Sequence, residues 1–547
     1  MKSIVRLLMA GLVATCCRIA TGRTENVNGV KWSYSNLSNH CAGVTSVDPG
    51  KKTVLEIPYK LGGRRVNQIN SGAFAECSNL VEVTIPWRVS SIGAFAFAGC
   101  SGLTHMSIPG QVRRIEHATF LGCTNLATVS IRSTVTNIGA FAFADCTGLE
   151  NVKLPNSVTD LRGYAFANCS NLEWVDISTN LTSIREGTFK GCSSLEDVAI
   201  PDCVTNIGNS AFYDCRSITN VAIPDCVTNI GDRAFYGCSS MTNVVIPGSV
   251  TNLGEYAFAY CSSLEWVDIS TNLTNIREGT FEGCNSLEDV AIPDCVTNIG
   301  NSAFYGCSSI TNVAIPDCVT NIGKEAFAKC ISLGGVAIPD CVTNIGEKTF
   351  YKCLSLTNVM IGANVTNIDK EAFAKCISLG DVTIPDCVTN IGDKAFCDCI
   401  SLANIIIGAN VSGLGKKAFV GCTALTAFTV SPDNKTFFEE SGMLLTNCLS
   451  DTDSIAIVAV PGGLAEVTIP DGVNQIDYDA FAGCYNLTHV TIPASVTEIA
   501  LDTFADCPLE SLTIAPDNPR YFVEDNYLCD RETGERYTII DDNSCTQ

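Results

Sequence analysis

The chain has 547 residues, with 34 Lys and Arg set against 57 Asp and Glu for a formal net charge of −23. That balance argues against nucleic acid as a partner, since a phosphate backbone is met with clustered Lys and Arg. It also disfavours anionic membrane surfaces and keeps a long apolar-cored chain in solution.

Lys2 and Arg6 precede the apolar run Leu7–Ala14, and small residues follow around Ala20, Thr21 and Gly22. A basic stretch, a short apolar stretch and a small-residue cleavage site together make an export signal, expected over residues 1–22. No later run of apolar residues is long enough to span a bilayer, so the mature chain is expected to be secreted or held at a cell surface. Residues 23–70 are expected to cap the array that follows, because a first coil left bare would present an apolar cross-section to water. Trp32-Ser33-Tyr34 and Val54-Leu55-Glu56 are predicted as short strands in this cap, with Gly62-Gly63 as a turn.

From residue 71 to 430 one sentence recurs. Cys307 to Phe327 reads Cys-x-x-Ile-x-x-Val-x-Ile-Pro-x-x-Val-x-x-Ile-Gly-x-x-Ala-Phe, and Cys330 starts the next copy 23 residues on. A unit that short cannot bury a core alone and must stack on its neighbours. Val83 and Ile85 alternate with polar Thr84, the pattern of a half-buried strand, and Pro86 stops it by removing a donor. Val89 and Ile92 form a second inward pair. Gly93 marks a turn that prefers Gly without requiring positive φ, since Arg162, Arg185 and Asp369 hold the same place in sister coils. Ala-Phe closes each coil as a predicted short helical turn. The residues expected to fill the core are Phe97, Cys100, Phe235, Cys238, Phe304, Cys307, Phe327 and Cys330.

Thirty-one Cys in an exported chain would ordinarily mean a disulfide framework. Their spacing points elsewhere. Cys77 through Cys422 fall every 23 residues, each three residues after a Phe, so they occupy a stacking position. In-register neighbours about 4.7–4.9 Å apart hold their Cβ atoms wider than a disulfide prefers, which predicts a ladder of buried thiols. A second row, Cys203, Cys226, Cys295, Cys318, Cys341 and Cys387, follows Pro-Asp at a solvent-facing turn. Adjacent pairs there, such as Cys203 and Cys226, are where a bridge could form.

Leu172–Leu181 recurs unchanged at Leu264–Leu273, 92 residues or four periods later, so four coils were copied as a block. After Cys422 the frame breaks. Residues 431–460 contain Pro432-Asp433-Asn434 and are predicted as a hairpin-like insertion projecting from one edge. Coils resume over residues 461–516. Pro516-Asp517-Asn518 repeats the insertion signature, so residues 517–547 are expected to form the C-terminal cap.

These marks resemble the leucine-rich repeats of the BspA type, also called the Treponema pallidum type, over about residues 54–516, with eighteen Phe-x-x-Cys copies in one register. The resemblance implies a leucine-rich repeat solenoid. It would be a right-handed curved superhelix with a parallel sheet on the concave face, the short helical turns lying on the convex side. It implies an exported or surface protein of the kind implicated in adhesion to matrix proteins, host cells or other microbes. The family offers no catalytic motif to carry over.

The residues themselves agree on the absence of an enzyme. Only His40, His105, His117 and His489 are available, and none joins a metal or nucleophile motif. Cys397-Asp398-Cys399 lacks converging ligands, so no metal and no cofactor are expected. Binding is the stronger expectation. Outward positions of the sheet supply Glu173, Trp174, Asp176, Glu196 and Asp197, and their copies Glu265, Trp266, Asp268, Glu288 and Asp289. An exposed Trp ringed by carboxylates suits a basic partner, and it could also stack on a sugar. The expected partner is therefore a protein or glycan on a cell or matrix surface. The alternative role is an extracellular carbohydrate-binding or substrate-capturing accessory protein.

Overall fold

A computed structural model describes residues 22–447, 454–500 and 503–538. The export signal expected over residues 1–22 lies, apart from Gly22, outside the described residues. The chain divides into two compact units, residues 1–273 and 274–547. Each is a solenoid of 23-residue coils, and each coil has three sides.

The first side is the strand read from the alternation. In the coil of Trp174, the strand Trp174–Asp176 buries Val175 and turns its two flanking residues to solvent. It pairs in parallel with Asn151–Lys153 before it and Asp197–Ala199 after it, each residue meeting its counterpart 23 positions away. Register is set because a slip of one residue would turn Val175 out and Trp174 in.

The second side is also a strand, where the sequence offered only an inward pair. Ser183–Ile184, Asn206–Ile207, Asn229–Ile230 and Asn252–Leu253 form a parallel ladder in the first unit. A matching ladder in the second unit runs from Asn275–Ile276 to Gly413–Leu414. The Ile or Leu points inward, and the residue before it lines up into a column of amides. Asn229 donates to Asn206 at 2.6 Å, Asn321 to Asn298 at 2.6 Å and Asn390 to Asn367 at 2.7 Å. Asn206, Asn229 and Asn367 both give and receive, whereas Asn344 turns its amide to Asp369 at 2.8 Å and breaks the column before Asn321.

The third side corrects the predicted helical turns. No helix of any kind occurs among the described residues. Two residues per coil, those two before and two after the Phe, have φ near +55 to +75°; Phe95 at 57° and Gly99 at 73° are one such pair. A helix cannot contain such residues. The N–H groups also go elsewhere. Phe95, Phe97 and Gly99 donate to carbonyls of the next coil at 2.8–3.0 Å, while Ala96, Ala98 and Cys100 donate three residues back. Tandem turns thus make a third ladder. Gly93 does not have positive φ; a Cβ there would come within 2.5 Å of the Ser71 backbone nitrogen, so contact with the preceding coil favours Gly.

Inside these sides stand two columns. Phe97, Phe235, Phe304 and Phe327 are fully buried, as are Cys100, Cys238, Cys307 and Cys330. Consecutive Phe rings stack nearly parallel, Phe212 to Phe235 at 5.2 Å and Phe304 to Phe327 at 5.3 Å. Each such pair adds about 0.5–1.5 kcal/mol beyond burial. The thiols have a defined task. Phe74 O accepts the N–H of Cys77 and, at 3.1 Å, the thiol of Cys100 from the next coil. The arrangement repeats through Cys422 and Phe396. A Cys fits because it is small and apolar and carries one weak donor for the carbonyl's second lone pair.

The column ends are covered by antiparallel strands. Trp32, in the strand Val30–Asn36, is buried and meets the edge of Phe74 at 6.1 Å. Gly62 and Gly63, both at positive φ, turn Lys60–Leu61 onto Arg64–Ile69. In the second unit Phe419 meets Phe428, on the parallel strand Ala427–Val430, edge-on at 5.2 Å, and the antiparallel strands follow. There the predicted projecting hairpin does not project. Phe437–Glu440 and Met443–Asn447 pair antiparallel, but Ile455–Ala459 adds a third strand that joins Val473–Ile476 in parallel. Met443, Leu445 and Ile457 are buried in one core with Phe481, Cys484 and Leu528. Burying that apolar face is worth more than leaving it in water, so the insertion folds inward.

The two Pro-Asp-Asn copies do the same job. Asn434 donates its amide to the carbonyls of Gly408 and Val411 and accepts from the N–H of Thr436 and Phe437. Asn518 does likewise with Pro493, Val496, Arg520 and Tyr521. Each Asn ties the last regular coil to the antiparallel strands that follow.

Candidate binding face

The outward side chains of the first sheet stand in columns along the stack. In the first unit one column holds His105, Thr128, Asn151, Trp174, Asp197, Asn220, Asn243 and Trp266, neighbouring residues being partners across paired strands. Trp174 and Trp266 are 44% and 45% exposed, large apolar surfaces left in water. Four strand steps separate them, about 19 Å at the usual spacing. Asp197, Asn220 and Asn243 lie between.

Glu173, Asp176, Glu196 and Asp197 are exposed beside Trp174, and Glu265 and Asp268 beside Trp266. Glu288 and Asp289 are exposed on the second unit, where Asp289 starts the strand Asp289–Ala291. The structure thus collects the first five residues on one face of one unit and divides the copied set between the two units. The two Trp neighbourhoods also differ. Asp176 pairs with Lys153 Nζ at 3.0 Å, whereas the strand partner of Asp268 is Val245. Sequence reading passed over Lys153, although it stands 23 residues before Asp176 and the period alone marks it as the neighbour.

The inner-column cysteines are buried thiols. Burial pushes the Cys261 thiol up to about 12, far from a reactive thiolate. In the outer row Cys203 and Cys226 are free thiols, with no bridge between them, and Cys203 donates to the carbonyls of Thr179 at 2.8 Å and Leu181 at 3.1 Å. Cys399 is buried while Cys397 is only half-buried, and no cluster of metal-ligating side chains occurs among the described residues.

Stacked coils with a parallel strand per turn and a displayed outer face define a leucine-rich repeat scaffold. The BspA type Leucine rich repeat region matches in six copies, over residues 59–173, 127–242, 160–286, 228–356, 343–450 and 462–531, and the chain belongs to that family. Leucine-rich repeat proteins of this kind are generally non-enzymatic scaffolds. Three solved structures are similar to it. A leucine-rich repeat protein from Bacteroides ovatus is 28% identical, over 73% of this chain and 92% of that one, with a TM-score of 0.48. The Treponema pallidum leucine-rich repeat protein is 30% identical over 34% of this chain and 87% of its own, with a TM-score of 0.33. A leucine-rich cell surface protein from Faecalibacterium prausnitzii is 26% identical over 75% and 95%, with a TM-score of 0.37. Comparison with the curated proteins finds no match. No helix among the described residues is long and apolar enough to cross a membrane.

Proposed function

We propose that this is an exported, non-enzymatic adhesion protein that meets a basic macromolecule on a host, matrix or microbial surface through the first sheet of residues 1–273. One observation carries the reading: two half-exposed Trp side chains stand in one column of one sheet, flanked by carboxylates with no apolar cover. Large aromatics anchor interfaces because they bury much area at little entropic cost, and the surrounding acids select positive partners. Replacing Trp174 and Trp266 together by Ala is expected to weaken capture of matrix proteins at least tenfold while the far-UV spectrum stays the same. Unchanged capture would remove this face from consideration.

A second reading, capture of a glycan, is favoured by the Asp197, Asn220 and Asn243 side chains that separate the two indoles. Aromatic platforms with amides and carboxylates between them suit a chain of sugars. A glycan array run beside a matrix-protein panel separates the two, and the double Trp variant should lose whichever signal the native protein gives.

A further inference from the structure

The turn-side ladder stops at one place in the second unit, and a cavity opens there. Lys394, Phe396 and Asp398 donate their N–H groups to the carbonyls of Lys416, Ala418 and Val420, as each coil before them in that unit does to its successor. The coil of Phe419 has no such successor, because the three-stranded insertion follows it. The carbonyl of Ala480, on the first turn beyond the insertion, accepts from Val460 instead. Among the described residues no acceptor meets the N–H of Lys417 or Phe419. Backbone donors left without a partner away from bulk water are costly and seek an acceptor.

Lys417 and Phe419 line a cavity of about 550 Å³. That volume falls within the roughly 300–1,000 Å³ typical of small-molecule sites. Its apolar wall is Phe419, Phe437 and Val460. Its charges are of both signs: Lys416 and Lys417 come from the coil before the insertion, Asp477 and Asp479 from the turn after it. They do not neutralise one another, since no ion pair among the described residues joins either Lys to either Asp. Burial and the charge of Asp479 hold the Asp477 carboxyl above the ordinary range, and its hydrogen-bond donor is the Gln475 amide at 3.1 Å. A cation between the two carboxylates would relieve that repulsion.

We propose that this cavity binds a free amino acid with an apolar side chain. Its carboxylate would take the Lys417 and Phe419 N–H groups and the lysine charge. Its ammonium would sit between Asp477 and Asp479, and its side chain against Phe437 and Val460. A simple anion or amine would leave one pair of charges unanswered, and a residue inside a peptide carries neither charge.

Calorimetric titration of the full chain with L-phenylalanine, 3-phenylpropanoate and 2-phenylethylamine tests this without altering the protein. L-Phenylalanine is expected to bind, and each singly charged analogue to bind about tenfold more weakly or worse. Asp477→Asn should weaken L-phenylalanine by about tenfold and should not weaken 3-phenylpropanoate, with the circular dichroism of the native chain. No binding of L-phenylalanine would overturn the proposal, and so would binding of 3-phenylpropanoate as tight as that of the amino acid.

Discussion

The thiol column makes the second unit sensitive to alkali in a way that can be worked out from its burial. Burial pushes Cys330, Cys376 and Cys507 up to about 12 from an ordinary 9.0. It also raises Cys307, Cys353, Cys399, Cys422 and Cys484, where neighbouring thiols or acids add to the effect. A group whose pKa is raised by folding stabilises the fold fully below its unfolded value. That stability is lost as pH climbs from about 9 through the folded values. At about pH 10 each buried thiol therefore costs about 1.4 kcal/mol relative to an unfolded one. Eight of them reach about 11 kcal/mol, the size of a whole domain's stability of about 5–15 kcal/mol. Residues 274–547 are expected to unfold cooperatively between about pH 9 and pH 11. Thiolate absorbance near 240 nm should then rise in the same step in which far-UV ellipticity is lost. Cys330→Ala should narrow the stability gap between about pH 7 and pH 10 by about 1.4 kcal/mol, measured by urea titration at each pH. With the outer-row Cys295, Cys318, Cys341 and Cys387 replaced by Ser, thiolates that appear gradually around pH 9 with the spectrum intact would refute the reasoning.

Other expectations follow from the same coordinates. Phe304, fully buried between Phe281 at 5.5 Å and Phe327 at 5.3 Å, should cost about 3–5 kcal/mol when replaced by Ala, and a loss under about 1 kcal/mol in urea would mean the column carries little. Asn434→Ala strands two carbonyls and two N–H groups, so a loss on the order of 3 kcal/mol is expected, with Asn434→Asp recovering the accepting half; equal melting of the two variants would contradict this. Burial alone would raise the Asp530 carboxyl, but the N–H groups of Glu532 and Thr533 and the Arg520 guanidinium at 3.0 Å outweigh it and hold it below the ordinary range. Its contribution is therefore present above the ordinary carboxyl pKa of about 4 and lost as pH falls below that. Hydrogen exchange over residues 521–536 should lose protection at about pH 3 in the native chain and change little with pH in Asp530→Asn.

Much of the architecture was legible in advance because the period repeats it. Phe, Cys and the Val-x-Ile alternation each recur in one phase, and only an inward position tolerates so narrow a choice of residue so many times. The turn side was misread for a definite reason. Ala-Phe looks helical on propensity, but what decides that segment is the carbonyl row of the next coil, which draws alternate N–H groups outward and forces two residues per turn to positive φ. The amide column on the second side was hidden for a related reason, since Thr-Asn-Ile is too short to declare a strand until its neighbour lies alongside.

The sequence by itself determined that the chain winds in 23-residue coils around aromatic and thiol columns, because a periodic burden of apolar residues has nowhere to go but a shared interior. Tertiary structure alone decided how the irregular residues are used. It folded the insertion inward, paired Asp176 with Lys153, and left Lys417 and Phe419 lining a cavity. Those outcomes depend on which groups meet across coils, and pairing over such distances is set by packing and by the need to satisfy each buried polar group, neither of which a single copy of the repeat contains.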